Sequence, residues 1–249
     1  MRLFLVLLLA AADAAAATPK YSPLDGAAAV PLSSDNAYFR KPANPAPDYW
    51  ALSSFYVPQY NGAACSAASV TMALNALINA RRARGDSDEN LLQQTLPEKV
   101  KGFDWKGLVS EGGSAGRHGV TLAQLGQAAR EALAAGGAAG WQVSVTTVAE
   151  QSARALEDFR KALAANERGA DDIMLLHFAQ DAVTGAPGGP FAHVSPVGAY
   201  NAAAKRVLIM DVDRQWYEPY WAADARVFAA MLVKTPAFGS GGYVVLKRK

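Results

Sequence analysis

The sequence predicts an α+β fold, a helical lobe beside a mostly antiparallel sheet. Two observations predict it. Helical periodicities dominate the first part of the chain, and β-rich runs cluster in the last third, an order that argues for α+β architecture. The composition supports a real core: 51% of the 249 residues are apolar and 18% are charged. The length allows one large domain or two small ones. The formal net charge is +2 with no basic run, which gives no footprint for nucleic acid.

Taken in order, Met1-Arg2 is a short positive start, Leu3 to Ala12 is apolar, and Ala15 to Ala17 fits a small-residue cleavage rule. Residues 1–17 are therefore expected to be a secretory signal peptide. Their apolar core is too short for a stable membrane anchor. The mature protein is expected to be exported, periplasmic in a bacterial-type cell, with no membrane anchor after cleavage. Residues 18–48, rich in Pro, Ser, Asn and Ala, are expected to form an extended surface arm. Residues 49–249 carry the periodic helix and strand segments.

Val70, Leu74, Leu77 and Ile78 recur at helical spacing, and Arg81, Arg82, Arg84 and Gly85 form a cationic last turn with a glycine stop. The spacing predicts a helix from near Gly62 to about Arg84, with Cys65 in its first turn. A short helix is expected over Glu89 to Leu96. Thr121 is the expected N-cap of another, with Leu122, Leu125, Ala129 and Leu133 on one face. Trp141 to Val148 reads as a strand and Ser152 to Asn166 as a helix. Strands are expected at Ile173 to Phe178, His193 to Tyr200, Val207 to Asp213 and Tyr243 to Lys247, with a helix at Ala222 to Val233.

Cys65 is the one cysteine in the chain. In an oxidising compartment a lone cysteine is buried and inert, paired with another molecule, or reactive. The thiolate is the nucleophile, and a helix N-terminus or a neighbouring imidazolium favours that form. Gly62, Ala63, Ala64, Ala67 and Ala68 leave room beside Cys65 for a substrate. The ordinary alternative is a cysteine packed like a small hydrophobe.

Three histidines could supply a base. His118 lies in a Gly-rich connection and reads as a solvated loop residue. His177 ends an apolar run and reads as a half-buried, hydrogen-bonded strand residue. His193 lies where a Gly/Pro loop meets a strand, a position that holds a side chain rigidly against an open loop. A base needs a third group to orient it. Asp211 ends the run RVLIMD, in a strand expected to pair with the His193 strand across the turn NAAAK. Asp213 is its rival, because alternation puts both on one face. Gln59, six positions before Cys65, can donate to an oxyanion beside the Cys65 backbone N–H.

The stretch QYNGAACSAASVTMALNAL resembles the glutamine, cysteine and apolar helix of the phytochelatin synthase family, a papain-like group. HVSPVGAYNAAAKRVLIMDVDRQWYEPYW is similar to that family's second block, and its histidine-to-aspartate step of 18 matches. HGVTLAQL and ARVFAAM look like further family segments, so the likeness covers roughly Tyr49 to the C-terminus. The resemblance implies that residues 49–249 are one papain-like catalytic domain, a helical lobe with the cysteine at a helix N-terminus packed against an antiparallel sheet lobe.

It also implies Cys65 as nucleophile, His193 as base, Asp211 as orienter, Gln59 as oxyanion donor and Arg214 as the contact for the substrate's γ-glutamyl end. The chain ends soon after the catalytic blocks without a cysteine-rich region, and so looks like the short bacterial type. The implied activity is cleavage of the Cys–Gly amide of glutathione through a Cys65 acyl-enzyme, giving glycine and γ-Glu-Cys. Transfer to a second glutathione, which makes phytochelatin, is expected as a slower or metal-dependent outcome. No cofactor is expected of the protein itself; Cd or Zn would enter as a metal–glutathione thiolate. The rival readings are another papain-like thiol amidase or peptidase, and a non-catalytic periplasmic binder of thiol peptides or metal thiolates. The sequence does not set the oligomeric state, and a homodimer is one option.

Overall fold

The run Asp172-Ile-Met-Leu-Leu-His-Phe-Ala179 is buried along its whole length, and its side chains divide between two cores. Ile173 and Leu175 point to one, Met174, Leu176 and Phe178 to the other, as alternation along a strand requires. A sheet with apolar residues on both faces must be covered on both. The computed structural model describes residues 24–26, 28–79, 90–136, 140–235 and 238–249, and it shows that arrangement.

The described elements are β1 (Ala29–Pro31), α1 (Pro47–Ser53), α2 (Cys65–Asn79), α3 (Trp105–Leu108), α4 (Leu122–Ala135), β2 (Trp141–Thr147) and α5 (Ala153–Asn166). They continue with β3 (Asp172–Ala179), α6 (Gln180–Thr184), β4 (Ala192–Asn201), β5 (Arg206–Ile209), β6 (Tyr220–Ala223), α7 (Asp224–Leu232) and β7 (Gly242–Arg248). The strands form one sheet in the order β1-β6-β5-β4-β3-β7-β2, with every pairing antiparallel. Helices α1, α2 and α4 cover one face; α5 and α7 cover the other. The fold is α+β as expected, but its helices lie on both faces of the sheet rather than in one lobe beside it.

Local chemistry accounts for the helix starts. Thr121 caps α4 in a full capping box: its hydroxyl accepts from Gln124 N–H, and Gln124 Oε1 accepts from Thr121 N–H. Ser152 accepts from Ala155 N–H at the start of α5. Asn61 shapes the entry to α2, where its Oδ1 accepts from Ala63 N–H at 2.7 Å and its Nδ2 donates to Val109 O at 3.0 Å. Cys65 is consequently the first residue of α2, and the helix buries Val70, Leu74, Leu77 and Ile78. The cationic end expected for this helix lies outside the described residues, as do the expected signal peptide and cleavage site.

Three expectations need correction. Of the helix expected over Glu89 to Leu96, Glu89 lies outside the described residues and the rest makes turns, with a 3-10 turn at Leu96–Lys99; Asn75 on α2 binds both the Leu91 N–H and the Leu91 carbonyl and so takes them from helical bonding. Tyr220–Ala223 is a strand, so the last helix begins at Asp224. The described residues of the segment expected as a surface arm are built into the fold. β1 pairs with β6, Tyr38 and Trp221 meet edge to face at 5.2 Å, and Ala46 and Asp48 are fully buried. Short polar segments of this kind gain their order from tertiary partners, which composition does not display.

One irregularity positions the site. β4 and β5 pair Tyr200 with Val207 and Ala199 with Leu208, but then Val197 with Ile209, leaving Gly198 as a bulge. Met210 N–H donates to Pro196 O at 2.9 Å and carries the shifted pairing one residue further. Asp211 thereby comes opposite Ser195, on the face shared with His193. Without the bulge it would stand opposite Pro196, on the other face.

Candidate active site

Three elements converge where α2 begins. α2 presents Cys65, β4 presents His193 near its start, and the segment after β5 presents Asp211. Ser69 Oγ donates to Val194 O at 2.9 Å and so ties the cysteine helix to the histidine strand. Tyr56 OH donates to Asp211 O, and Gln59 N–H donates to Val212 O at 2.8 Å. These bonds hold the Gln59 loop against the aspartate segment.

His193 Nε2 donates to Asp211 Oδ1 at 2.9 Å, and Ser195 Oγ lies 2.9 Å from the same nitrogen. Ser195 Oγ also accepts from Val212 N–H at 3.3 Å. Both ring contacts use Nε2. Phe178, directly opposite His193 on β3, meets the imidazole edge to face at 5.8 Å. Burial opposes charge on the ring, but Asp211 and a hydrogen bond with Cys65 outweigh it and hold the His193 pKa well above 6.5.

Asp211 is fully buried, a position that disfavours ionisation; His193, Gln180 and the Asp213 N–H reverse this and hold its pKa below 3.8. Gln180 Nε2 donates to both carboxylate oxygens, at 3.2 and 3.0 Å. Tyr220 OH donates to Oδ2 at 2.8 Å and Asp213 N–H to Oδ1 at 2.9 Å. Ser195 and Tyr220 lie within the second family block, where the resemblance assigns them no role, and Gln180 lies in no quoted motif. Their spatial convergence on the His193–Asp211 pair reveals what they do.

A cavity of about 680 Å³ opens beside this pair. Its wall includes Gln59, His193, Asp213, Trp216 and the 185–187 loop. Cys65 is 7% exposed, and as the first residue of α2 it has a backbone N–H with no intrahelical acceptor. Gln59 lies on the cavity wall, and its Oε1 is buried and unpartnered.

The remaining candidates separate. Asp213 lines the cavity; burial raises its pKa, with Asp211 adding to the rise while His193 and Gln180 oppose it. His118 is an exposed loop residue near Ser110 O. His177 donates from Nε2 to Val120 O at 2.9 Å in the β3 interior, more deeply buried than expected. Arg214 lines a separate cavity of about 490 Å³ with Trp50, Tyr56 and Glu218. Its guanidinium sits 4.9 Å from the Tyr56 ring centroid, and Nη1 donates to Tyr217 O. Among the described residues, no three His, Cys, Asp or Glu side chains are grouped as metal ligands.

A family model described as phytochelatin synthase matches residues 28–243. The chain belongs to the phytochelatin synthase family. The match begins within the segment expected as an arm, in agreement with β1 being part of the sheet. A comparison with curated proteins found no match. Members of the phytochelatin synthase family act on glutathione and transfer γ-glutamylcysteine. No described helix of this family member is long and apolar enough to cross a membrane.

Proposed function

We propose that this chain cleaves the Cys–Gly amide of glutathione through an acyl-enzyme on Cys65, within a papain-like arrangement. The observation that carries the reading is the buried His193 imidazole, which donates to an Asp211 carboxylate that accepts from three further donors, Gln180, Tyr220 and the Asp213 N–H. A carboxylate so anchored keeps the ring in one orientation and stabilises the imidazolium.

The Cys65 sulfur attacks the carbonyl carbon of the Cys–Gly bond. Gln59 and the Cys65 N–H receive the oxyanion. As the tetrahedral species collapses, the C–N bond breaks and His193 gives its proton to the leaving glycine. γ-Glu-Cys remains as a thioester on Cys65. Water, activated by the now neutral His193, releases γ-Glu-Cys. Transfer to a second glutathione is the slower branch, because water competes for the thioester from every open side. Cd or Zn acts in this scheme on glutathione thiols, as part of the substrate. We place the γ-glutamyl end toward Arg214; the support is that Arg214 lines a cavity of its own, apart from the one beside His193.

The test is glycine release from glutathione, with mass spectrometry of the quenched enzyme. Wild type should release glycine and carry a γ-Glu-Cys adduct on Cys65. Cys65→Ala and Cys65→Ser should lose at least about 10³-fold of the rate. Substantial glycine release by Cys65→Ala would remove Cys65 from the mechanism.

Export is the matching proposal for location, supported by the three-part pattern of residues 1–17. Protein recovered from an exported fraction should lack those residues, and an intact Met1 there would refute it.

A further inference from the structure

The cavity beside His193 differs in character from a glycine site. At about 680 Å³ it matches pockets that hold a whole small molecule, whereas glycine has only a handful of heavy atoms. Tyr60, Phe191 and Trp216, exposed by 40%, 44% and 51%, stand around it. These are three of the six large hydrophobic side chains exposed among the described residues. Amides and aromatic rings make up most of the remaining wall, and no Lys or Arg lines it. Asp213 is the one carboxylate in the lining, and no Lys or Arg is paired with it among the described residues. Arg214, its chain neighbour, is turned to Tyr56 and Tyr217 O.

The side of the scissile bond follows from proton transfer. His193 must protonate the leaving nitrogen, so the cavity that His193 and Gln59 wall is the amine side. Aminolysis of the thioester is the reverse of acylation, and microscopic reversibility brings the incoming amine to the same place. That amine is the α-amino group of a second γ-glutamyl peptide, and it arrives as an ammonium ion.

We infer that this cavity is the acyl-acceptor site and that Asp213 is its specificity-determining residue, binding the ammonium group of an incoming γ-glutamyl peptide. The inference rests on the Cys65 thioester proposed above. The ammonium gives one proton to Asp213, from which it passes to solvent. The amine then attacks the acyl carbon, a C–N bond forms, and the C–S bond breaks. The electron pair returns to the Cys65 sulfur, and the second proton goes to neutral His193. An acceptor lacking the amine has neither the nucleophile nor the charge that Asp213 selects. Asp213 thus sets how the thioester divides between water and peptide.

The experiment measures that division in wild type and Asp213→Asn incubated with millimolar glutathione. Chromatography gives the ratio of transfer product, (γ-Glu-Cys)2-Gly, to hydrolysis product, γ-Glu-Cys. The ratio is fixed after the common thioester, so a general loss of activity does not move it. Asp213→Asn should lower it at least about tenfold, the scale of one lost charge-assisted contact, and Asp213→Glu should recover part of it. A ratio within twofold of wild type in Asp213→Asn, or a wild type that makes no transfer product at any glutathione concentration, overturns the inference while glycine release still upholds the thioester. Absence of glycine release from wild type instead removes the reading beneath it.

Should Asp213→Asn not fold, wild type alone decides by competition. S-methylglutathione, which keeps the ammonium, should suppress (γ-Glu-Cys)2-Gly. N-acetyl-S-methylglutathione, which lacks it, should not. Equal suppression by both overturns the assignment.

Discussion

Asp211 accepts hydrogen bonds from a glutamine, a tyrosine, a backbone N–H and a histidine, all on one carboxylate. A buried carboxylate without such donors would sit in the wrong protonation state. Tyr220 makes one of these bonds from a fully buried ring. Tyr220→Phe keeps the ring and removes the donor. It should act through Asp211 and lower kcat by about 10-fold, the scale of one lost hydrogen bond to a charged group, with KM nearly unchanged. Steady-state kinetics checks this, and an equal rise in KM would mean that the ring shapes the substrate cavity instead. The sequence made Cys65, His193 and Asp211 readable because each ends or begins an element whose periodicity is visible. Gln180 was not readable, and Tyr220 stood only as one aromatic of the WYEPYW stretch, without a role. They reach Asp211 across 31 and 9 residues through sheet packing, and neither spacing has meaning without the fold.

At the scale of elements, α1 and the end of α5 meet through Asp48 and Asn166, where Asn166 Nδ2 donates to Asp48 Oδ2. Both residues are buried, and the Oδ1 atom of each lacks a partner. Burial drives the Asp48 pKa well above 3.8, Asp172 and Glu167 add to this, and the Asn166 bond opposes it. The folded value exceeds the unfolded one, so this group's contribution to stability is complete below the unfolded pKa and is lost as pH rises through the folded one. Asp48→Asn removes the ionisable group in the same shape. Its melting temperature should exceed that of wild type by about 2 °C or more at alkaline pH, a difference that shrinks on acidification. Thermal unfolding across pH checks the trend, and a pH-independent difference would exclude Asp48 titration as its source. Capped elements were legible in the same way as α4: Thr121 and Ser152 announce their helices by their own chemistry. β6 and the segment around β1 carry no such signal, because their order comes from pairing with each other.

Across the whole molecule, the last strand lies inside the sheet. β7 pairs with β3 on one side and β2 on the other, so the two ends of the described chain are not equivalent. Deleting residues 242–249 would strip β2 of its partner strand, open one edge of β3 and remove Val244 and Leu246 from the core. Each such buried side chain contributes about 1.5–3 kcal/mol, and the whole margin of a domain is about 5–15 kcal/mol. The truncated protein should fail to fold, which circular dichroism and solubility will show; a cooperative melt would contradict the central placement of β7. Removing the N-terminal residues through Ala28 leaves every strand pairing in place and should preserve such a melt. The α+β class was readable from the order of periodicities. The covering of both sheet faces was not, since a buried apolar run looks the same whichever side its helices take.

The bulge at Gly198 has an arithmetical consequence. In a regular antiparallel hairpin, two residues on the same face of facing strands differ in number by an odd count when the turn joins residues five apart, as Asn201 and Arg206 are here. His193 and Asp211 differ by an even number, 18, and a regular hairpin would put them on opposite faces. One unpaired residue changes the parity and lets the two side chains meet. With this turn, the even step of 18 requires an irregularity between the two residues. A hairpin built without that extra residue would need an odd step to bring the same histidine and aspartate together.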